Sequence, residues 1–243
     1  MSSIVNKITS FFFYNPSRKR LTQFAIDAAN SLPHNSCILD AGAGDCVYKP
    51  HFKNQRYESA DFCQVDKPYA RVTYICDLTK IPVEDSKYDM VFCSQVLEHL
   101  PEPKKVLEEF YRILKPNGKL WLSAPFYYEE HEQPYDFFRY TQFGFSHLLT
   151  TSGFTINDIS WLEGYFGTLA YQFKTISINL PLSPKNYSGL FFKITGPFIG
   201  LCIKTSALFL SLYFAIAETK KKITTSGHCK NYKLIATKPL SVN

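Results

Sequence analysis

The spacing of hydrophobic residues changes repeatedly along this chain, and each change marks the passage from a strand to a helix or back. Short apolar or alternating runs at 37–39, 57–60, 72–76 and 88–93 predict four strands, with a short helix at 48–52 after the first. Next, Val106, Leu107, Phe110, Ile113 and Leu114 recur every three or four positions, which predicts a helix with Pro103 in its first turn and Gly118 as its stop. A strand at 119–125, a helix within 141–153, a strand at 154–161 and a late strand at 231–239 complete the series. This alternation predicts an α/β fold: a doubly wound, seven-stranded, mostly parallel sheet with helices on both faces. Ligands of such sheets bind beyond the carboxyl ends of the strands.

That rule turns scattered acids into a pattern. The segment ILDAGAGD ends its strand at Asp40 and turns through Gly42 and Gly44. It is no triphosphate loop, because Asp45, Cys46 and Val47 stand where a lysine and a hydroxyl are needed. Nor is it a dinucleotide fingerprint: Val47 replaces the third glycine, and Asp40 would oppose a pyrophosphate. Asp61 follows the second strand, Asp77 the third, and Ser94 with Gln95 the fourth. A carboxylate after the second strand can accept from both ribose hydroxyls, one after the third can take an adenine amine, and Asp40 can face an ammonium. Together they describe an adenosine with a cationic amino-acid tail.

Charge and cysteine content narrow the setting. The stretch 165–243 holds ten lysines and one acid, Glu218, whereas the first 164 residues carry 17 basic and 20 acidic groups. A basic tail on an acidic core suggests an anionic surface, membrane or nucleic acid. Seven cysteines without C-x-x-C pairs suit a reducing, cytoplasmic setting. The first twenty residues lack a leading basic region and a cleavage site, so no secretory signal is expected. Ile4, Val5, Ile8, Phe11 and Phe12 share a helical face, expected to be a packed N-terminal helix rather than an anchor.

Four segments in order, ILDAGAGD, YESADF, CDLTKIP and the run YDMVFCSQVLEHLPEPKKVLEEFYRILKPNGKLWLSAP, resemble the class I S-adenosylmethionine-dependent methyltransferases, in their small-molecule, type 11-like branch. The resemblance covers about 20–160 and the final strand. It implies a Rossmann-like sheet with an antiparallel last strand and S-adenosyl-L-methionine as cofactor. It also implies that Gly42 and Gly44 approach the cofactor, Asp61 with Phe62 holds the ribose, Asp77 with Leu78 meets the adenine, and Ser94 with Gln95 borders the methionine end. Glu98 and His99 match a pattern common in the family, His99 being a candidate either for the substrate or for orienting its loop.

Methyl transfer requires an acceptor held in line with the S–CH3 bond and, for a neutral hydroxyl, removal of a proton. The segment PFYYEEHEQPYDFFRYT, 125–141, follows the fifth strand and concentrates aromatics with His131, Asp136 and Arg139. Its expected role is a lid with one base, His131, and one cation, for a hydroxylated or anionic acceptor. The competing expectation is that Asp136 and Arg139 pair and pin the loop. Glu129, Glu130, His131 and Glu132 cannot all converge on one ion without a bend, and no metal is expected.

Strands six and seven normally form a hairpin in this fold, yet 162–230, 69 residues, intervene here. One domain with a helical hydrophobic insertion is therefore expected over the 243 residues. Within the insertion, 194–217 carries a single charge, Lys204, and is followed by Lys220, Lys221 and Lys222. One membrane crossing would separate the last strand from its sheet, and Gly196, Pro197 and Gly200 interrupt a helix. Two short segments lying in, or dipping into, an anionic membrane surface through 190–222 are expected, on its cytoplasmic side, with a buried cap or dimer contact as the rival. A small-molecule, lipid or glycan acceptor is the expected substrate. A silent cofactor-binding module is the alternative. An RNA methyltransferase ranks below both, because the lysines are dispersed and the loop CSQVLEHLP lacks the Asn-Pro-Pro-Tyr type of base stacker.

Overall fold

A computed structural model describes residues 16–64 and 69–240. The amphipathic face at 4–12 lies outside the described residues. The chain divides into two compact units, one built from Ser17–Leu162 with the stretch from Asn231 on, the other from Glu163–Lys230.

The first unit is a seven-stranded sheet. Its strands are β1 (Cys37–Ala41), β2 (Arg56–Asp61), β3 (Tyr74–Ile75), β4 (Tyr88–Ser94), β5 (Leu114–Pro125), β6 (Thr155–Trp161) and β7 (Asn231–Thr237). They lie in the order β3-β2-β1-β4-β5-β7-β6, with β7 antiparallel to both its neighbours and the β3–β2–β1–β4–β5 run parallel. Among the described residues three helices accompany the sheet: α1 (Pro16–Asn30), α2 (Pro103–Ile113) and α3 (Gln142–Thr151). The expected fold class is the observed one.

Both sheet faces are buried, which explains the nearly continuous apolar runs of the central strands. Ile38, Met90, Phe92 and Trp121 share one face with Phe24, Ala25, Ala28 and Ala29 of α1. Phe24 sits 5.8 Å from Phe92 and 5.0 Å from Trp121, ring centre to ring centre. Leu39, Val91, Leu120 and Leu122 alternate onto the opposite face and are also buried. On α2, Val106, Leu107, Phe110 and Ile113 are buried, as their spacing predicted.

Three local expectations change. The α2 helix stops at Ile113 rather than running to Gly118, because Lys115 precedes Pro116, and a residue before proline is forced out of the helical region. The third strand shrinks to Tyr74–Ile75. At Thr73 the edge pairing passes to side chains: Thr73 Oγ1 accepts from Ser59 N, and Ser59 Oγ from Thr73 N, both at 3.1 Å. The α1 helix was not anticipated, although Leu21, Phe24, Ala25, Ala28 and Ala29 fall on one helical face.

The second unit is a helical hairpin, α4 (Tyr165–Asn179) and α5 (Leu190–Lys220), joined by a short turn at Pro184–Asn186. The expected pair of short segments across 194–217 is instead one helix of 31 residues, continuous through Pro197. Proline forfeits a single backbone bond there, and the neighbouring glycines pack rather than break. A Cβ at Gly196 would lie 2.7 Å from the Tyr187 ring, and one at Gly200 2.9 Å from Leu182 Cδ2. Two of the charges of α5 serve the ends of α4. Glu218 accepts from Gly164 N at 2.8 Å and Gly167 N at 3.1 Å, at the helix start. Lys204 Nζ donates to Ile178 O at 2.8 Å and Leu180 O at 3.2 Å, at the helix end. Each charge has the sign that its helix terminus favours.

Candidate active site

The loop after β1 folds back over β2, Gly42 N and Ala43 N donating to Ala60 O at 2.8 and 3.1 Å. Gly42 has φ +78°, and a Cβ there would fall 2.3 Å from Val96 Cγ2, so the turn presses directly on the loop after β4. Gly44 differs: its φ is +53°, and a Cβ would meet nothing within 4 Å. The open side of the loop is therefore at Gly44.

Asp61 ties this loop down. Its Oδ2 accepts from Gly44 N at 2.8 Å and its Oδ1 from Cys63 N at 2.9 Å. A carboxylate has about four acceptor sites, so two remain for hydroxyl donors. Phe62 stands beside it, 45% exposed. Asp77, after β3, is exposed, and its Oδ1 accepts from both Thr79 N and Thr79 Oγ1 at 2.8 Å. The following Leu78 is buried.

Asp40 is only 2% exposed, and Tyr57 donates its hydroxyl to Asp40 Oδ2 at 2.6 Å. Burial pushes the Asp40 carboxyl up to about 7, the Tyr57 hydrogen bond opposes this, and the Asp61 charge adds to it. Beyond β4, Ser94 Oγ lies 2.9 Å from Ser123 Oγ of β5 and donates to Tyr48 at 3.4 Å. Gln95 adopts φ +59°, donating its N–H to Ser123 O at 2.8 Å and its side-chain amide to Ser123 Oγ at 3.4 Å. The cofactor-site candidates thus line up along the carboxyl ends of β1 to β4. Tyr48, Tyr57 and Ser123 join them without having been expected.

The acceptor candidates form a second cluster, where 125–141 closes onto the loop after β4. Backbone N–H groups of Phe137 and Phe138 donate to Glu98 O at 2.9 and 3.2 Å, and Tyr140 donates its hydroxyl to Leu97 O at 3.1 Å. Asp136 and Arg139 are bonded to each other, Nη1 to Oδ1 at 2.6 Å and Nη2 to Oδ2 at 2.8 Å. Arg139 also donates to Tyr128 O, Glu129 O and Phe138 O. The guanidinium holds the Asp136 carboxyl far below the usual carboxylate range, so Asp136 is an ionised orienting group and not a proton acceptor. Pinning by this pair, one of the two expectations for the loop, is what the geometry contains.

His99 and His131 meet edge to face, ring centres 4.6 Å apart. Nδ1 of His99 is 2.5 Å from Tyr135 O; Nδ1 of His131 is 3.4 Å from Asp136 Oδ2. Burial lowers the His99 pKa and raises the Glu98 carboxyl to about 8. Of the cluster at 129–132, His131 joins the two rings directly, and the Glu132 charge acts on both Glu98 and His99.

Residues 39–122 match the family described as a methyltransferase domain. Among curated relatives, the ubiquinone biosynthesis O-methyltransferase of Pseudomonas entomophila (strain L48) is 34% identical over 60 residues, covering 25% of each chain. That of Histophilus somni (strain 2336) is 27% identical over 127 residues, covering 45% of this chain and 52% of the relative. The chain spans between a quarter and about half the length of these two relatives. Among solved structures, the [4+2]-cyclase SpnF aligns with a TM-score of 0.58 at 19% identity, covering 91% of this chain and 82% of that one. Phosphoethanolamine N-methyltransferase 2 of Haemonchus contortus, in complex with S-adenosyl-L-methionine, aligns at 0.53 and 16%, covering 93% and 53%. At such identities the structures show a common fold. The cyclase among them shows that this fold alone does not fix a reaction.

Proposed function

We propose that this chain, which carries a class I methyltransferase domain, binds S-adenosylmethionine at the carboxyl ends of β1 to β4 and moves its methyl group to an oxygen of an amphiphilic acceptor. The observation that carries this reading is the array of Asp40, Asp61 and Asp77 after three adjacent strands, beside a glycine turn whose open side is at Gly44. Asp61 receives the ribose hydroxyls, with Phe62 at the rim. Asp77 and Leu78 border the adenine, and Ser94 and Gln95 the methionine end. Asp40 supplies charge only on demand: its buried carboxyl resists ionisation until an ammonium group arrives to favour the charged form.

The sulfonium is already activated, so the protein's main contribution is alignment. The acceptor oxygen attacks the methyl carbon, and the C–S electron pair stays on sulfur, leaving S-adenosylhomocysteine. The His99–His131 pair serves the acceptor's hydroxyl. The naming of the curated relatives for O-methylation in ubiquinone biosynthesis supports an oxygen acceptor on an apolar molecule. Methyl-labelled donor incubated with the chain and a lipid and quinone extract should place label in the organic phase, with an equal amount of S-adenosylhomocysteine released. Binding of the product without any transfer would make the chain a binding module and overturn this reading.

The helical hairpin is read as a peripheral anchor on an anionic membrane, on the cytoplasmic face. Leu190–Lys220 is long and apolar enough to cross a bilayer, and a hairpin enters and leaves on one side, which returns the chain to β7. Apart from Glu218, its buried positions are small: Gly196, Gly200, Ala207, Ser211 and Ala215. Phe214 packs on Phe166 and Phe173 of α4, while other large residues are exposed, Phe198 and Phe209 each by 70%. That distribution suits a lipid environment, where small residues pack helices together and large ones meet acyl chains. Lys220, Lys221 and Lys222 follow, exposed, for anionic head groups. Co-sedimentation with anionic liposomes that weakens at high salt is expected. A dimer with no affinity for liposomes would contradict the anchor.

A further inference from the structure

Glu98 is completely buried, and neither of its carboxylate oxygens has a hydrogen-bond partner among the described residues. A buried carboxyl group with neither oxygen hydrogen-bonded is costly, and native proteins rarely leave one in that state. Arg139 attracts Glu98 but donates no hydrogen bond to it, because its nitrogens are engaged by Asp136 and three loop carbonyls. The nearest side-chain donors are two imidazoles. One carboxylate oxygen of Glu98, one ring nitrogen of His99 and one of His131 all lie within 4.8 Å of one another.

The surroundings of the two rings decide which nitrogen is free. Nδ1 of His99 faces Tyr135 O at 2.5 Å, and a carbonyl can only accept, so the proton sits on Nδ1. Nδ1 of His131 faces Glu129 O at 3.2 Å and Asp136 Oδ2 at 3.4 Å, both acceptors, with the same result. Each neutral ring therefore keeps its lone pair on Nε2. Imidazoles that bind metals are oriented this way, with the far N–H held by a carbonyl or carboxylate.

We propose that Glu98, His99 and His131 form a site for one divalent transition-metal ion. Two imidazoles and one carboxylate match Zn2+ best, with Mn2+ and Fe2+ as weaker occupants. Three protein ligands leave a position open, the arrangement of a catalytic rather than a structural site. The ion's use in chemistry rests on the methyltransferase reading: the open position would take the acceptor's hydroxyl oxygen and favour its ionised form. The proton would leave to solvent, the oxygen would form the bond to the methyl carbon, and the C–S pair would remain on sulfur. His131 then acts as a ligand in place of the expected general base. The ion also gives the pinned loop a purpose, since the Asp136–Arg139 pair holds the carboxylate that orients His131.

The test is calorimetry of the full chain, first stripped with a chelator and then titrated with Zn2+, with S-adenosylhomocysteine titrated separately into the stripped protein. About one equivalent of Zn2+ should bind. Glu98→Gln and His131→Ala should each weaken binding at least about 100-fold, and Asp136→Asn, which loosens both the Arg139 pair and the hold on His131, about 10-fold. Glu98→Gln breaks no hydrogen bond among the described residues, so it tests the site even where His131→Ala fails to fold. No tight binding by the parent would overturn the proposal, as would Zn2+ binding that survives both substitutions and so belongs to thiols. Product affinity of the stripped parent reports independently on the methyltransferase reading.

Discussion

In α2 the large apolar residues Val106, Leu107, Phe110 and Ile113 are buried, while in α5 Leu190, Phe191, Phe198 and Phe209 are exposed and the buried positions are Gly196, Gly200, Ala207, Ser211 and Ala215. Composition already separates them, with five charged residues among the 11 of α2 and four among the 31 of α5. The placement of the large side chains separates them further. The sheet unit assembles its interior from large side chains removed from water, the main source of stability in a water-soluble core. The hairpin assembles its interior from close helix approach, the Phe166–Phe173–Phe214 contact and two buried or partly buried charges, and leaves many of its large side chains exposed. Such a surface is stable only against something apolar.

Equivalent substitutions in the two units separate these designs most sharply. Phe110→Ala should lower folding stability by about 3–5 kcal/mol in denaturant titration, because it leaves a cavity in a closed core. Phe209→Ala should change stability by less than about 0.5 kcal/mol. The same variant should weaken liposome association roughly tenfold, as expected for withdrawing one large apolar side chain from lipid. Equal stability losses at both positions would erase the distinction.

Asp40 tests whether the sheet unit sacrifices stability for its site. Burial raises its carboxyl to about 7 in the folded state from an ordinary value of 3.8, so the folded state retains a proton that the unfolded state has lost between those values. Stability should therefore fall as pH rises from about 4 to about 7, by up to about 4 kcal/mol, and level off above. Asp40→Asn should remove that slope and gain about 2–4 kcal/mol at pH 8, while weakening S-adenosylhomocysteine binding. An unchanged pH profile would mean that Asp40 is not the titrating group.

Within the hairpin, Ala207→Leu should destabilise the α4–α5 seam by about 1–3 kcal/mol through overpacking, measured by thermal melting. Lys221→Gln should have the smallest effect, about 1 kcal/mol in binding to anionic vesicles and none to neutral ones.

Much of the sheet unit was legible in the sequence because strands buried on both faces appear as short apolar runs and α2 keeps a strict three-four spacing. The α1 helix escaped because three of its five inward positions, Ala25, Ala28 and Ala29, are alanines, which give little contrast with the polar face. Pro197 and its flanking glycines suggested a break, yet only tertiary contacts with Tyr187 and Leu182 reveal that the glycines form a packing surface. The acids proposed for the cofactor site were visible because each stands at or just past the carboxyl end of a strand. Tyr57 and Ser123 were not, since strand pairing alone brings them to Asp40 and Ser94. The pairing of Asp136 with Arg139 was readable from their three-residue spacing; the approach of His131 to Glu98 and His99 required the fold.

The central claim, that the acids along β1 to β3 hold an adenosyl cofactor, is tested most directly by titrating S-adenosylhomocysteine into the parent and Asp61→Ala proteins in a calorimeter. The parent should bind one equivalent. The variant should bind about 2–4 kcal/mol more weakly, because two charge-assisted hydrogen bonds to the ribose are lost together and the Gly44 loop loses its tether. Failure of the parent to bind, or tight binding of a nicotinamide dinucleotide in its place, would contradict the account.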